Sequence, residues 1–113
     1  MTQNEKDILL KDLCARLPYN VAIDCRDEDS RFTCYLTTDM LREIQNNNCY
    51  WEYKPYLFPL SSMTEEQRLE YYGTFSLSGD ISGSVDFYNK HHLDWRGLIP
   101  MGLAIDATNL NIY

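Results

Sequence analysis

The segment from His91 to Gly97 concentrates the titratable side chains that could do chemistry. It contains His91, His92, Asp94 and Arg96, whose types suit acid–base catalysis or the binding of an anion. Adjacent residues on a helix point about 100° apart, so the two histidines are poorly placed to hold one metal ion. The structural alternative is that one histidine packs and the other meets solvent at a helix end, while Asp94 and Arg96 cap and bridge a turn.

Aromatic residues form a second concentration, within residues 50–58. Tyrosine and tryptophan are common in protein–protein interfaces. Stacking on single-stranded nucleic acid also uses such rings but needs a basic groove, which this segment lacks. Core packing is the alternative for part of the segment. The residues that we expect to contact a partner or ligand are Tyr50, Trp51, Tyr53, Tyr56, His91, His92, Asp94, Trp95 and Arg96.

The sequence lacks the motifs of common enzyme classes. It has no glycine-rich phosphate loop, no metalloprotease helix with paired histidines and no G-x-S-x-G nucleophile turn. We therefore expect no catalytic residue, no cofactor and no metal, and favour a protein without enzymatic activity.

The chain is acidic: its 113 residues carry ten Lys and Arg against 17 Asp and Glu, a net charge of -7. The length predicts one domain over residues 1–113. Affinity for nucleic acid comes from neutralising phosphates, so direct nucleic-acid binding is not expected. The acidity serves solubility in the simplest interpretation, and an acidic decoy for a nucleic-acid-binding protein is the sharper alternative.

Compartment is inferred from the apolar stretches and the cysteines. The apolar stretches are much shorter than the about 20 residues that span a membrane, and no signal peptide is recognisable. None of the cysteines belongs to a C-x-x-C pair; they are Cys14, Cys25, Cys34 and Cys49. We interpret them as free, buried thiols in a reducing, cytoplasmic compartment, with a zinc site or disulfides as alternatives.

Periodicity in the first half predicts a helix followed by a β-hairpin. An apolar stripe at three- and four-residue spacing predicts a helix that Asn4 can cap and Pro18 ends. Alternation then predicts two strands around a polar turn over residues 26–30. This register places Cys25 opposite Phe32 and Cys34 opposite Ile23. Residues 38–45 suit a short helix capped by Thr38 or a loop, and residues 49–53 a third strand followed by an irregular stretch.

The second half predicts short helices and a structured tail. Residues 64–67, Thr-Glu-Glu-Gln, fit a capping box that starts a helix closed by Gly73. Residues 74–84 suit a loop or weak strand, and a last helix of two turns starts at Ser82 or Ser84. Residues 97–107 predict a turn and a short extended tail. The fold class is therefore α+β: a small antiparallel sheet of about three strands, an N-terminal helix and two short C-terminal helices.

Two sequence blocks carry a resemblance. They are residues 54–66, KPYLFPLSSMTEE, and residues 91–99, HHLDWRGLI, continuing to Gly102-Leu103-Ala104. The chain resembles a group of small uncharacterised proteins of gut anaerobes and of their phages and mobile elements. That resemblance implies a cytoplasmic accessory protein, with carriage by a phage or mobile element as one alternative, and carries over no activity.

The sequence thus favours a non-enzymatic accessory protein that binds another protein. A small ligand-binding domain or enzyme that uses His91, His92, Asp94 and Arg96 is the first alternative. The acidic decoy is the second.

Overall fold

The computed structural model describes residues 2–46, 51–70 and 81–113. The helices are α1 (Gln3–Arg16), α2 (Thr38–Asn46), α3, which includes residues 65–70, and α4 (Ile81–Lys90). The strands are β1 (Ala22–Arg26), β2 (Arg31–Tyr35), β3 (Glu52–Pro59), β4 (Leu93–Asp94) and β5 (Ile105–Asp106). Two 3₁₀ turns cover Leu17–Tyr19 and Leu60–Ser62. The predicted α+β class is confirmed.

Within the described residues, the sheet has five strands rather than the predicted three or so. Its order is β2-β1-β3-β4, and β5 also pairs with β3. The first three strands are antiparallel, as expected, whereas β4 and β5 run parallel to β3. Two-residue strands have no readable period, so their pairing is set by the path of the chain and not by local pattern.

The hairpin has the predicted register. Ile23 lies opposite Cys34, and Cys25 lies opposite Phe32. The Asp27 carboxylate closes the turn, because its Oδ1 accepts hydrogen bonds from the backbone N–H of Asp29 at 2.8 Å and of Ser30 at 2.6 Å. Short polar side chains commonly satisfy turn backbone in this way.

The expectation of free, buried cysteines is wrong for the described cysteines. Cys25 and Cys34, diagonal neighbours on one face of the hairpin, are joined as a disulfide. The Cys14 thiol is free but exposed. Cys49 lies outside the described residues.

Strand β3 is continuous where the sequence predicted a strand followed by an irregular stretch. Pro55 is tolerated inside it because it lies opposite Ile23, a position where β3 does not hydrogen-bond to β1. On the other side, pairing with β5 starts only at Tyr56, so the missing N–H removes no ladder bond. The predicted start of this strand, at residues 49 and 50, lies outside the described residues.

Helix boundaries differ from prediction where capping residues compete. Thr2, not Asn4, caps α1 in a capping box with Glu5. Residues 38–46 are helical, and the hydroxyl of Thr37 rather than Thr38 accepts from the N–H of Met40 at 3.3 Å.

Later in the chain, one helix start is confirmed and another is wrong. The capping box that starts α3 has reciprocal bonds of 3.1 and 3.0 Å between Thr64 and Gln67. Helix α4 begins at Ile81, before the predicted Ser82 or Ser84. The predicted helix end at Gly73 and the loop over residues 74–80 lie outside the described part of the chain.

The main core lies between α1, α2 and one face of the sheet. Its buried side chains include Leu9, Leu13, Ile23, Leu57 and Leu98. A second, smaller cluster on the opposite face groups Ala22, Tyr56 and Ala107. The buried side of α1 also carries Asp12 and Arg16, and these two charges lead to the 91–97 segment.

Candidate functional site

Asp94 stabilises the turn in the segment where the sequence concentrates titratable side chains. Its carboxylate is 7% exposed and accepts backbone N–H groups from Gly97 at 3.0 Å, Leu98 at 2.8 Å and Ile99 at 2.9 Å. Gly97 follows with φ of 82°, a left-handed conformation that glycine adopts without strain. A carboxylate with three such bonds stabilises a turn. The oxygens of Asp94 are therefore already bound by the backbone N–H groups of the residues that follow it.

Arg96 does not bridge to Asp94, which corrects that part of the sequence interpretation. Its Nε instead donates to Asp12 Oδ1 at 3.1 Å, and its guanidinium lies 4.2 Å from the centre of the Trp95 ring. Arg16 shares the same carboxylate, with Nε 2.7 Å from Asp12 Oδ2. The other end of Arg16 donates from Nη2 to the Leu93 carbonyl at 2.7 Å.

Asp12, Arg16 and Arg96 therefore form one buried charged cluster. The side chains of Asp12 and Arg16 are fully buried, and that of Arg96 is 20% exposed. A buried guanidinium is tolerated only when it is paired and hydrogen-bonded. The cluster ties α1 to β4 and to the following turn, across 77 and 84 residues of sequence.

His92 and Tyr113 form a second contact beside this cluster, in which His92 is half-buried and Tyr113 is 45% exposed. His92 has a positive φ of 58°, and its ring stacks on Tyr113 with centroids 3.8 Å apart. Burial, followed by the charges of Arg16 and His91, lowers the pKa of His92 to about 4. At neutral pH the ring is uncharged, and its Nδ1 has no hydrogen-bond partner among the described residues.

The Tyr113 hydroxyl closes the ladder between β1 and β3. It accepts from the N–H of Ala22 at 2.9 Å and donates to the carbonyl of Tyr56 at 2.7 Å. Continuing the register of β1 and β3 would place these two residues opposite each other. Burial raises the pKa of Tyr113 to about 12, so the phenol keeps its proton and both hydrogen bonds.

His91 and Trp95 point to other partners. His91 Nε2 lies 3.2 Å from Glu70 Oε2, and its ring packs 4.6 Å from Phe87. Trp95 Nε1 donates to Asn89 at 3.1 Å. The candidate residues of this segment thus contact different neighbours, and the described geometry does not bring their functional groups together around one substrate position.

The aromatic segment of β3 leads instead to an open groove. Trp51 packs edge-on against Phe32, 5.0 Å between centroids. The Tyr53 hydroxyl donates to Glu43 Oε2 at 2.5 Å. Tyr56 is 4% exposed and belongs to the smaller core cluster, so it offers little surface to a partner. Tyr50 lies outside the described residues.

The groove has a volume of about 490 Å³. Its buried floor is formed by Leu9, Ile44 and Leu103, and its half-buried or exposed walls by Trp51, Tyr53 and Met101. Around this apolar lining stand Glu5, Glu52 and Lys54. We call this site the Trp51 groove.

The rim of the Trp51 groove is negative. Lys54 is the one cation among the described residues that line it, and it lies 3.4 Å from Glu52, which leaves Glu5 in excess. Hydrogen bonds from Thr2 lower the pKa of Glu5, so it is ionised at neutral pH. The groove therefore combines apolar walls with an anionic edge.

Sequence reasoning missed the charged cluster and the role of Phe32. A signal was present for the first, because Asp12 falls three residues after Leu9 and Arg16 three residues after Leu13, which places them on one helix face. Phe32 lies opposite buried Cys25, yet it is 48% exposed and packs against Trp51.

Comparison with protein-family models, curated proteins and solved structures gives no match for this chain. Within residues 2–46, 51–70 and 81–113, no three His, Cys, Asp or Glu side chains group to hold a metal ion. In the same described ranges, no helix has the length and apolar character needed to cross a membrane.

Proposed function

We propose that the chain is a non-enzymatic accessory protein that binds another protein through the Trp51 groove. One observation carries the proposal: an open groove whose floor is core side chains and whose walls are aromatic or thioether side chains. Aromatic residues and Met are enriched in protein interfaces. A partner side chain placed there would extend the apolar core outward.

The partner that fits is a segment with an apolar anchor beside Lys or Arg. The anchor would pack on Trp51 and Met101, and the cation would face Glu5 at the rim. The overall charge of -7 favours the approach of a basic segment. Charged rim contacts contribute more to the association rate than to affinity, whereas the buried anchor contributes most of the affinity.

The competing functions receive less support from the geometry. In the 91–97 segment, Asp94 is taken by backbone N–H groups, Arg96 by Asp12 and His91 by Glu70. A ligand would have to displace these partners. An acidic decoy would use the charge without needing an apolar groove. The resemblance to proteins of phages and mobile elements is consistent with an accessory role.

The experiment is photo-crosslinking from the groove itself. A photoreactive amino acid at Met101, which is 38% exposed, is irradiated in host lysate and the crosslinked peptide is identified. We expect a stoichiometric partner whose crosslinked peptide pairs an apolar residue with Lys or Arg. Trp51→Ala should remove the crosslink, because it removes one wall of the groove.

Trp95→Ala is the matched control. It removes the other tryptophan, which bonds to Asn89 on α4, and should leave the crosslink in place. Thermal unfolding of each variant shows whether it is folded. A crosslink that survives Trp51→Ala, or that disappears equally in Trp95→Ala while both variants remain folded, would contradict the proposed site. A crosslinked peptide rich in acidic residues would contradict the proposed chemistry.

A further inference from the structure

Strand β2 is an edge of the sheet with a free side. It pairs with β1 and has no second neighbour among the described strands. Natural edge strands are usually protected by proline, by a bulge, or by several charges. The five residues of β2 contain no proline and one charge, on Arg31.

The register identifies the backbone groups on that free side. Hydrogen bonds from Asp27 to Ser30 at 2.9 Å and from Leu36 to Val21 at 3.0 Å mark the hydrogen-bonded pairs at the two ends of the hairpin. These pairs alternate along an antiparallel ladder. The N–H and C=O groups of Arg31, Thr33 and Tyr35 therefore point away from β1.

The side chains on this edge are exposed and chemically mixed. Tyr35 is 61% exposed, and the Arg31 side chain is 52% exposed. Arg31 is held in place by a 2.7 Å bond from its Nε to buried Asp24 and also contacts Tyr56, while about half of its side chain stays exposed. Thr33 lies between them on the same face of the strand.

We propose that β2 pairs with β2 of a second copy of this chain, antiparallel and centred on Thr33. The outward groups at 31, 33 and 35 then meet as three hydrogen-bonded pairs, which is the largest number any register allows. A shift of two residues leaves two such pairs. The symmetric arrangement is an isologous dimer, in which both copies use the same surface.

Side chains across this pairing are complementary. Arg31 of each copy lies opposite Tyr35 of the other, a favourable cation–aromatic pair. Thr33 meets Thr33 at the two-fold axis. The register places no two like charges opposite each other within the five paired residues. A short edge interface belongs to the weak class, so we expect a concentration-dependent dimer with a dissociation constant in the micromolar range or above.

The test uses position 35, where two substitutions act in opposite directions. Tyr35→Glu places a carboxylate opposite Arg31 of the second copy, and Tyr35→Lys places an ammonium there. Cross-strand pairs of opposite charge and of like charge differ in free energy. Because the pair occurs twice in a symmetric dimer, we expect the dissociation constants of the Glu and Lys variants to differ by about tenfold. Tyr35 lies opposite Ala22 on β1, so neither change places a charge directly opposite another charge within the hairpin.

Net charge alone predicts the reverse order. Tyr35→Glu makes an acidic chain more negative and should weaken association if only overall repulsion matters, whereas Tyr35→Lys should strengthen it. Sedimentation velocity from micromolar to millimolar concentration measures all three proteins. The proposal requires a wild-type dimer at the high end, with the Glu variant tighter than the Lys variant.

Two outcomes would overturn the proposal. If the wild-type protein stays monomeric at every concentration, β2 does not pair with a second copy, and its edge would be available to a strand of another protein. A dimer with the order Lys tighter than Glu would place the interface elsewhere. Thr33→Pro, which removes an outward N–H, should abolish the dimer while far-UV circular dichroism confirms folding. These measurements do not involve the lining of the Trp51 groove, so they stand apart from the proposed function.

Discussion

The two ends of β3 use similar residue types in opposite ways. At the Pro59 end, the charged cluster of Asp12, Arg16 and Arg96 lies beside β4, and its hydrogen bonds join its members or the backbone, although Arg16 Nη1 has no hydrogen-bond partner among the described residues. At the Glu52 end, the Trp51 groove is an open volume lined by aromatic and apolar side chains. The cluster joins distant segments of the chain, whereas the groove has room for a partner.

This difference shows that residue types able to catalyse or to bind do not by themselves identify a functional site. The 91–97 segment is rich in groups that could catalyse or bind, yet most of its described polar groups already have internal partners. The groove also has titratable groups at its edge, but its apolar and aromatic side chains surround an open volume of about 490 Å³. What distinguishes the two regions is this accessible apolar volume and not the number of titratable groups.

The largest effect should come from breaking the closed end at Asp12. Asp12→Ala leaves Arg16 buried without its carboxylate, and removing one partner of a buried ion pair costs about 3–5 kcal/mol. Urea unfolding measures the loss. The double variant Asp12→Leu with Arg16→Met should recover much of the stability, because replacing both partners by apolar groups is often neutral. A loss below about 1 kcal/mol for Asp12→Ala would show that the cluster is not a structural core.

A smaller effect should follow from removing the Tyr113 hydroxyl. Tyr113→Phe keeps the ring against His92 but leaves the N–H of Ala22 and the carbonyl of Tyr56 without their partner. Buried unsatisfied groups of this kind cost about 1–3 kcal/mol. Hydrogen exchange at the Ala22 amide should become faster, while the amides between β1 and β2 stay protected. Unchanged exchange at Ala22 would mean that the hydroxyl does not close the ladder.

The pH dependence of His92 should give the smallest effect. Its pKa falls from 6.5 in the unfolded chain to about 4 in the folded one, so protonation favours unfolding. The stability is fully present above pH 6.5 and is lost as the pH falls towards 4, below which both states bind the proton. The full shift corresponds to about 3 kcal/mol, and partial exposure of the ring reduces this to about 1–2 kcal/mol.

Urea unfolding across that pH range checks the His92 prediction, with His92→Gln as the control. Carboxylates also titrate near the lower limit, so the informative quantity is the difference between the two proteins. If the variant loses as much stability as the wild type between pH 6.5 and 4, His92 is not the group responsible.

Local sequence signals predicted the local parts of the fold. Alternation placed Cys25 opposite Phe32 correctly, and the Thr64–Gln67 capping box was visible in four letters. The parallel pairing of β4 and β5 with β3 could not be predicted, because two residues carry no period and the partner is distant in sequence. Competition between neighbouring caps, such as Thr2 against Asn4, is decided by the exact path of the backbone.

The residue types of the candidate sites could be predicted from the sequence. Whether each side chain is buried in the core or lines the groove could not. Trp51 and Tyr53 were expected to contact a partner, and they line the groove. Tyr56, three residues along the same strand, is covered by the second core cluster, since strand residues alternate between faces. The pairing of Arg96 with Asp12 joins residues 84 positions apart, and no local pattern encodes such a contact.

The charged cluster also has a consequence for the order of events in folding. Its bonds require the first helix and the region after residue 90 to be in place together, and closing a loop of that length costs entropy before the contacts form. We expect the desolvation of Arg16 to be compensated only after the rate-limiting barrier. Asp12→Ala should therefore raise mainly the unfolding rate and leave the refolding rate nearly unaltered. In the native protein, the cluster then slows unfolding.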